Sequence, residues 1–429
     1  MSHERNRFDL LNHIDAVIGG PPHDGLQIAV LVIVAATPNQ YEGLVRMLGQ
    51  AAADSFANAS ATSMGACLPA HAELYRLTAA QFGCVLEVGP PDRVEEIVDG
   101  LAYRIRRPGP AGPSMPMATS IGIGVACYPH HGANPADLLQ AAVSSAHESL
   151  YGGAPWRSYS PEADQASLRA ACLLRDIVPA LAGQGQLRLV YQPKTELSTG
   201  RCIGAEALLR WNHPTLGPIP PDEFVPLVER TVLMNAMTDW ALGTALSQVA
   251  RWQAAGIEPL ISINVSMQDL LGDRFAARLA GMLEHHTVRP DRVHIEITES
   301  ALMKDPVRVR RQFDEIRRQG IAIEIDDYGT GLSGLSYLKS IPASYVKIDQ
   351  SFVSRLAEDR TDQIIVGSTI DLAHDLGLRV VAEGIRDEAA LDWLREHGCD
   401  IGQGNLLSPP LEAPDFEKFL RTSRQPVPF

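Results

Sequence analysis

Two rhythms of apolar and polar residues divide the chain. In the second half, short apolar runs alternate with stretches of helical spacing. The runs are Leu187–Tyr191, Ile203–Arg210, Leu260–Val265, Val293–Ile297, Ile321–Ile325, Tyr345–Ile348 and Arg379–Ala382, with a weak last one at Asp400–Gly402. Helical periodicity fills the gaps at Thr238–Gln253, Arg274–His286, Val307–Gln319, Thr361–Leu376, Glu388–Glu396 and Phe416–Arg421. Repeated strand–helix units of this length predict an α/β fold, a (β/α)8 barrel. A doubly wound open sheet is the alternative, but no Gly-x-Gly-x-x-Gly follows a strand.

The first half mixes its elements differently. Residues 8–20 read as a short helix, Ile28–Val34 as a central buried strand, and Tyr41–Ser55 as a helix. Ala72–Leu77 and Cys84–Val88 read as a hairpin joined by Thr78–Gly83. A helix over Arg93–Arg106, a Pro/Gly loop over Pro108–Pro116, a strand over Met117–Ala126 and a helix over Pro135–Tyr151 follow. This is an α+β domain with a largely antiparallel sheet. Gly152-Gly153-Ala154-Pro155 closes it, with Trp156–Tyr159 as a last strand; Gln165–Leu181 is an amphipathic helix stopped by Gly183 and Gly185. The expected division is a domain over 1–160, a linker helix over 161–184 and a barrel over 185–429.

The candidate chemistry sits at the strand ends, the catalytic side of such barrels. The run Ile321–Ile325 leads into Asp326 and Asp327, then Tyr328-Gly329-Thr330-Gly331. Neighbouring side chains of a strand point to opposite faces, so both carboxylates meet one site only where the chain leaves the pleat. A carboxylate pair there suits a divalent metal, because hard cations take oxygen ligands and a shared carboxylate bridges two ions. Other runs end likewise, in Glu206, Asn264, Glu296 (with Glu299 one turn on), Lys347 then Asp349, Glu383 and Gln403. So many carboxylates at one barrel end are expensive unless cations share them.

Composition narrows the picture. The 429 residues suit two to three domains, and 45% hydrophobic with 21% charged residues is ordinary for a globular chain. A net charge of −14 argues against duplex nucleic acid or an anionic membrane as partner, though not against a small anion held by metals. Lysines are few, which makes Lys347 inside a strand notable. The six cysteines are scattered without metal-ligand spacing, as buried thiols of a reducing compartment are. No apolar run has signal-peptide form, and the most apolar stretch, Ile28–Ala36, is too short to span a bilayer. A cytoplasmic protein without a membrane span is expected.

Several of these motifs together resemble one family. Tyr191-Gln192-Pro193-Lys194, Glu206-Ala207-Leu208-Leu209-Arg210-Trp211, Asn264-Val265-Ser266, Glu296-Ile297-Thr298-Glu299-Ser300, Asp326-Asp327-Tyr328-Gly329-Thr330-Gly331, Val346-Lys347-Ile348-Asp349 and Ala382-Glu383-Gly384 are similar, in order, to the EAL-domain cyclic di-GMP phosphodiesterases. The resemblance spans about Leu173 to Leu420 and implies a modified TIM barrel that hydrolyses cyclic di-GMP to linear pGpG. It implies that Glu206, Asn264, Glu296 and Asp326 hold one Mg2+ or Mn2+, and that Asp326, Asp327 and Glu383 hold or orient a second ion and the attacking water. It also implies catalytic roles for Lys347, at the water or phosphate, and for Glu383 as general base. Gln192 and Arg210 would contact the ligand, Gln403 would lie near the scissile phosphate, and Glu299 would brace the Asp326–Gly334 loop. A homodimer through the barrel, with that loop at the interface, belongs to the same expectation.

The first half resembles the GGDEF domain of diguanylate cyclases in element order. Ala118-Thr119-Ser120-Ile121-Gly122-Ile123-Gly124 looks like that family's conserved strand. The signature position in Arg76–Phe82 carries Thr78-Ala79-Ala80-Gln81-Phe82, without the Gly-Gly turn or its acidic side chains, and Val30–Ala36 carries no aspartate. Cyclase chemistry needs Mg2+ held by carboxylates against a triphosphate. An inactive, regulatory domain is therefore expected, and residues 1–160 are the place for a protein partner. Three departures mark the barrel: Leu332-Ser333-Gly334-Leu335 in place of Tyr-Ser-Ser-Leu, Arg386 in place of a glutamate, and Asn405 in place of an aromatic residue. They bear on loop stability, dimer coupling and rate more than on substrate. The alternative function is a receptor or scaffold that binds cyclic di-GMP without hydrolysing it and signals to a protein partner.

Overall fold

The computed structural model describes residues 5–20, 27–88, 92–106, 121–183, 185–272, 274–299, 306–329 and 341–423. The chain divides into two compact units, Met1–Arg169 and Ala170–Phe429. The helix Pro161–Leu181 crosses that division, and its second half buries Leu173, Ile177 and Ala180 with Leu187, Trp211 and Phe224 of the second unit. Among the described residues no helix is long and apolar enough to cross a membrane.

The first unit is built on β1 (Gln27–Val34), an apolar strand buried on both faces. Side chains alternate along it. Ala29, Leu31 and Ile33 pack with Met64, Val98 and Leu101 on one side, whereas Val30, Val32 and Val34 pack with Leu10, Ile14 and Leu139 on the other. With β2 (Tyr75–Thr78), β3 (Gln81–Val88), β4 (Gly122–Tyr128) and β5 (Arg157–Ser158) it forms a sheet of order β2-β3-β1-β4-β5. All its pairings are antiparallel except β4 with β5.

Two local expectations change in this unit. The helix expected over Tyr41–Ser55 is two helices, Pro38–Leu48 and Gln50–Cys67. They break at Gly49, whose φ of 84° a helix cannot hold. The β2–β3 turn is Ala79-Ala80 rather than Thr78–Gly83, because Thr78 already pairs with Gln81. The Pro108–Pro116 loop and the first residues of the Met117–Ala126 strand lie outside the described residues.

The second unit is a closed barrel of eight strands: β6 (Leu187–Glu196), β7 (Cys202–His213), β9 (Leu260–Asn264), β10 (Val293–Thr298), β11 (Ala322–Tyr328), β12 (Tyr345–Ile348), β13 (Arg379–Ala382) and β14 (Ile401–Gly402). A short β8 (Gly217–Ile219) extends the sheet beyond β7. A regular strand–helix repeat is not what forms. β6 runs antiparallel to both β7 and β14, and it joins β7 as a hairpin with no helix between them. The cause is local: the Thr199 hydroxyl donates to Glu196 Oε2 at 2.8 Å and the Gly200 N–H to Glu196 O at 2.9 Å, closing a tight turn.

The core wraps the outside of the barrel. Ile261 and Ile263, Ile295 and Ile297, Ile323 and Ile325, and Val346 and Ile348 all join one apolar cluster with the surrounding helices. Their alternate neighbours Ser262, Glu296, Glu324 and Lys347 are buried too, but on the barrel's inner face, and that face is polar.

Candidate functional site

The inner-face residues come together at the carboxyl end of the parallel strands. Glu206 on β7, Glu296 on β10 and Asp326 on β11 place carboxylate oxygens within 4.8 Å of one another; Asp326, Asp327 and Glu383 do the same. Lys347 on β12 stands in their midst, 1% exposed. Its Nζ lies 2.6 Å from Glu383, 2.7 Å from Glu296, 3.0 Å from Asp326 and 3.3 Å from Glu206.

Two expectations about placement are corrected. Glu206 does not close its strand, for β7 runs on to His213 to pair with β8 and the start of β6. Asp326 and Asp327 likewise lie inside β11. They still reach one site because Asp327 adopts a left-handed φ of 54°, where the β11–β12 register shifts between Ile325 and Tyr328. For a non-glycine residue this backbone is strained, and such strain collects at functional sites.

The polar residues around the carboxylates are ordered. Asn264, exposed at the end of β9, donates from Nδ2 to Glu206 Oε1 at 2.7 Å. Gln403 donates from Nε2 to Glu206 Oε2 at 2.9 Å and to Gln192 Oε1 at 3.0 Å. Its own Oε1 is buried without a partner among the described residues. Glu299 is buried and accepts the Gly329 N–H at 3.0 Å, bracing the start of the segment after β11; the rest of the loop through Gly334, and Ser300, lie outside the described residues. Arg210 is not drawn into the cluster. It sits half-buried further along β7 with Nη1 on Leu209 O at 2.8 Å.

The charges are strongly perturbed. Burial acts to strip the Lys347 proton, but Asp326, Glu206, Glu296 and Glu383 outweigh it and hold the ammonium charged. Burial also acts to raise Glu206, yet Lys347, Lys194 and the two amide donors pull it down to about 2. Burial and the Glu206 charge push Glu296 well above the usual range. Burial, against Lys347, lifts Glu383 to about 8; burial and then Asp326 lift Asp327 to about 6. Five carboxylates against one ammonium leave four formal negative charges when all are ionised, the charge of two divalent cations. An oxygen-rich donor set with this excess can hold two hard ions, with Asp326 common to both groups.

A family model of the EAL domain matches residues 174–410, a span that contains every carboxylate of the cluster. The chain belongs to the EAL-domain family. Within this family it is 36% identical over 349 residues to a cyclic di-GMP phosphodiesterase of Pseudomonas aeruginosa, covering 81% of this chain and 59% of that protein. It is 34% identical over 340 residues to the bifunctional diguanylate cyclase/cyclic di-GMP phosphodiesterase MucR of the same organism, covering 79% and 49%. The chain thus spans between about half and three-fifths of these relatives' lengths. Among solved structures the EAL barrel resembles the phosphodiesterase PaMucR in a c-di-GMP complex: 38% identity, TM-score 0.55, 57% of this chain and 99% of that one. It also resembles an EAL enzyme in its cAMP-bound form: 28% identity, TM-score 0.57, covering 69% and 80%.

Four buried residues of the EAL barrel were not singled out by sequence as site residues: Lys194, Ser262, His294 and Glu324. They form a second polar layer joined to Glu296. The available signal was spacing by two, since Lys194 with Gln192, Ser262 with Asn264, His294 with Glu296 and Glu324 with Asp326 each occupy one face of a strand.

Proposed function

We propose that this chain hydrolyses cyclic di-GMP to linear pGpG with two Mg2+ or Mn2+ ions held by the barrel's carboxylates. The observation that carries the reading is five clustered carboxylates, four of them within 3.3 Å of one buried ammonium. The relatives named as cyclic di-GMP phosphodiesterases, and the resemblance to PaMucR in its c-di-GMP complex, support the substrate.

Glu206, Asn264, Glu296 and Asp326 would hold one ion; Asp326, Asp327 and Glu383 would hold the other. Bound ions of this kind lower the pKa of a water and offset charge on a phosphoryl group. The chain's own residues supply the rest. Lys347, fixed between Glu296 and Glu383, directs its ammonium to the charge that develops on the phosphate and the attacking oxygen. Glu383 takes the proton of the attacking water. Gln403, bonded to Glu206, keeps a buried carbonyl oxygen without a partner among the described residues, an acceptor ready for an N–H or O–H of ligand or water. Gln192, bonded to Gln403, and Arg210 contact the nucleotide. Glu299 keeps the segment after β11 in place through Gly329.

In the same reading, residues 1–160 form a cyclase-like domain without cyclase chemistry. Its β2–β3 turn is Ala79-Ala80, which offers no metal ligand, and the MucR match of 340 residues extends past the barrel. This domain regulates the barrel and is the surface for a protein partner. The enzyme is cytoplasmic and pairs through its barrels.

The test is a titration of metal-free protein with Mn2+, followed by addition of cyclic di-GMP and separation of products. Two ions per chain and pGpG that disappears with EDTA are expected. Tight binding of intact cyclic di-GMP without product would instead make the chain a receptor.

A further inference from the structure

Beneath the proposed metal ligands lies a second polar layer that the chemistry above leaves unused. Lys194 on β6 is 1% exposed, and all three of its ammonium protons are engaged. They go to Ser262 Oγ at 2.7 Å, Glu324 Oε2 at 2.8 Å and Glu296 Oε1 at 2.5 Å. Glu324 is equally enclosed. Its Oε1 accepts from Ser262 Oγ at 2.7 Å and meets His294 Nδ1 at 2.6 Å. Lys194 and Glu324 therefore neutralise each other, and Ser262 and His294 complete their hydrogen bonds.

Stability does not explain this arrangement. Buried ion pairs are commonly matched or bettered by apolar residues of the same volume, and the outer face of these same strands is packed with such residues. What the layer does achieve is geometric. Glu296 has one oxygen on Lys194 below and the other, Oε2, on Lys347 above at 2.7 Å. Oε1 is thus occupied by Lys194, whereas Oε2 shares the Lys347 ammonium with Glu206 and Asp326.

We propose that Lys194, held by Glu324 and Ser262, is a positioning residue that fixes the Glu296 carboxylate as a one-oxygen ligand to the bound metal. The inference rests on the metal reading of the upper site and deepens it. Residues behind a metal ligand that orient it typically alter metal affinity by about 10–100-fold when removed.

The test is Mn2+ affinity of the full chain without nucleotide, from electron paramagnetic resonance of free Mn2+, with thermal unfolding in parallel. Lys194→Met alone would strand the Glu324 charge, so the informative protein is Lys194→Met with Glu324→Gln, which keeps acceptors for Ser262 and His294. Its Mn2+ affinity should fall by about 10–100-fold. Ser262→Ala, which removes one anchor and no charge, should weaken Mn2+ by about threefold, half a logarithm at roughly 0.7 kcal/mol. A purely structural layer would lower the unfolding temperature and leave affinity untouched. Wild-type Mn2+ affinity in either folded variant would overturn the inference alone. Wild-type protein that binds no Mn2+ would overturn the metal reading and this inference with it.

Discussion

Lys347→Met isolates the electrostatics of the site, because it removes the ammonium and keeps most of the side chain's volume. Four carboxylates lie 2.6 to 3.3 Å from that ammonium, which is shielded from solvent. Removing one partner of a buried ion pair typically costs about 3–5 kcal/mol, because the remaining charge is left uncompensated. In a domain the size of the barrel, each kcal/mol moves the unfolding temperature by roughly 2–4 °C, so the fall in EDTA is about 6–20 °C. Divalent ions supply the missing positive charge. Mn2+ should therefore raise the variant's unfolding temperature by more than it raises the wild type's. Scanning calorimetry of the barrel transition, with EDTA and with Mn2+, reads both effects. An unchanged temperature in EDTA, or a loss that Mn2+ does not recover, would refute the reasoning.

Glu206→Ala removes a ligand shared between the metal group and the Lys347 network; pGpG formation should drop by about 1,000-fold or more, as losing several kcal/mol of charge stabilisation implies, and a variant within tenfold of wild type contradicts the assignment. Metal-free stability should depend on pH in a defined direction. Glu383 and Asp327 have folded values of about 8 and about 6 against ordinary values of 4.5 and 3.8, so stability is fullest below the ordinary values and declines as pH rises through about 6 and then about 8. Glu206, held at about 2, acts the other way, but only as pH falls from 4.5. Unfolding temperatures in EDTA should thus decline between about pH 5 and 9; a rise over that range contradicts the directions given. Gly404→Ala would set a Cβ 2.3 Å from the backbone N and O of Ile385, and a destabilisation of about 1–3 kcal/mol in urea unfolding is expected, with no loss if the Gln403 segment can move aside.

The barrel was legible because its strands read as apolar runs at regular spacing. The acidic residues that end up together were legible because each interrupts such a run. The antiparallel β6 was not read. Ser198-Thr199-Gly200 is a turn signal with no helical stretch beside it, but the strand–helix repeat elsewhere drew attention away from a hairpin there. β6 was also cut short at Tyr191, although it continues through Gln192 and Lys194 to Glu196. Pro193 and the polar residues break the apolar pattern there, yet Gln192 and Lys194 join the polar barrel interior rather than facing water. The same misreading hid Glu324 and His294, which look like surface residues of half-exposed strands until the barrel closes around them. The left-handed turn at Asp327 has no glycine to announce it. Tertiary packing imposes that conformation, so local propensity carries no sign of it.

The central claim is that the carboxylates of this barrel hold metal ions that hydrolyse cyclic di-GMP. The most direct measurement is chromatography of purified protein incubated with cyclic di-GMP and Mn2+, alongside an EDTA control and the Glu206→Ala variant. Linear pGpG in the first sample and neither control is the predicted result. Intact cyclic di-GMP in all three, or equal pGpG with and without EDTA, would contradict the account.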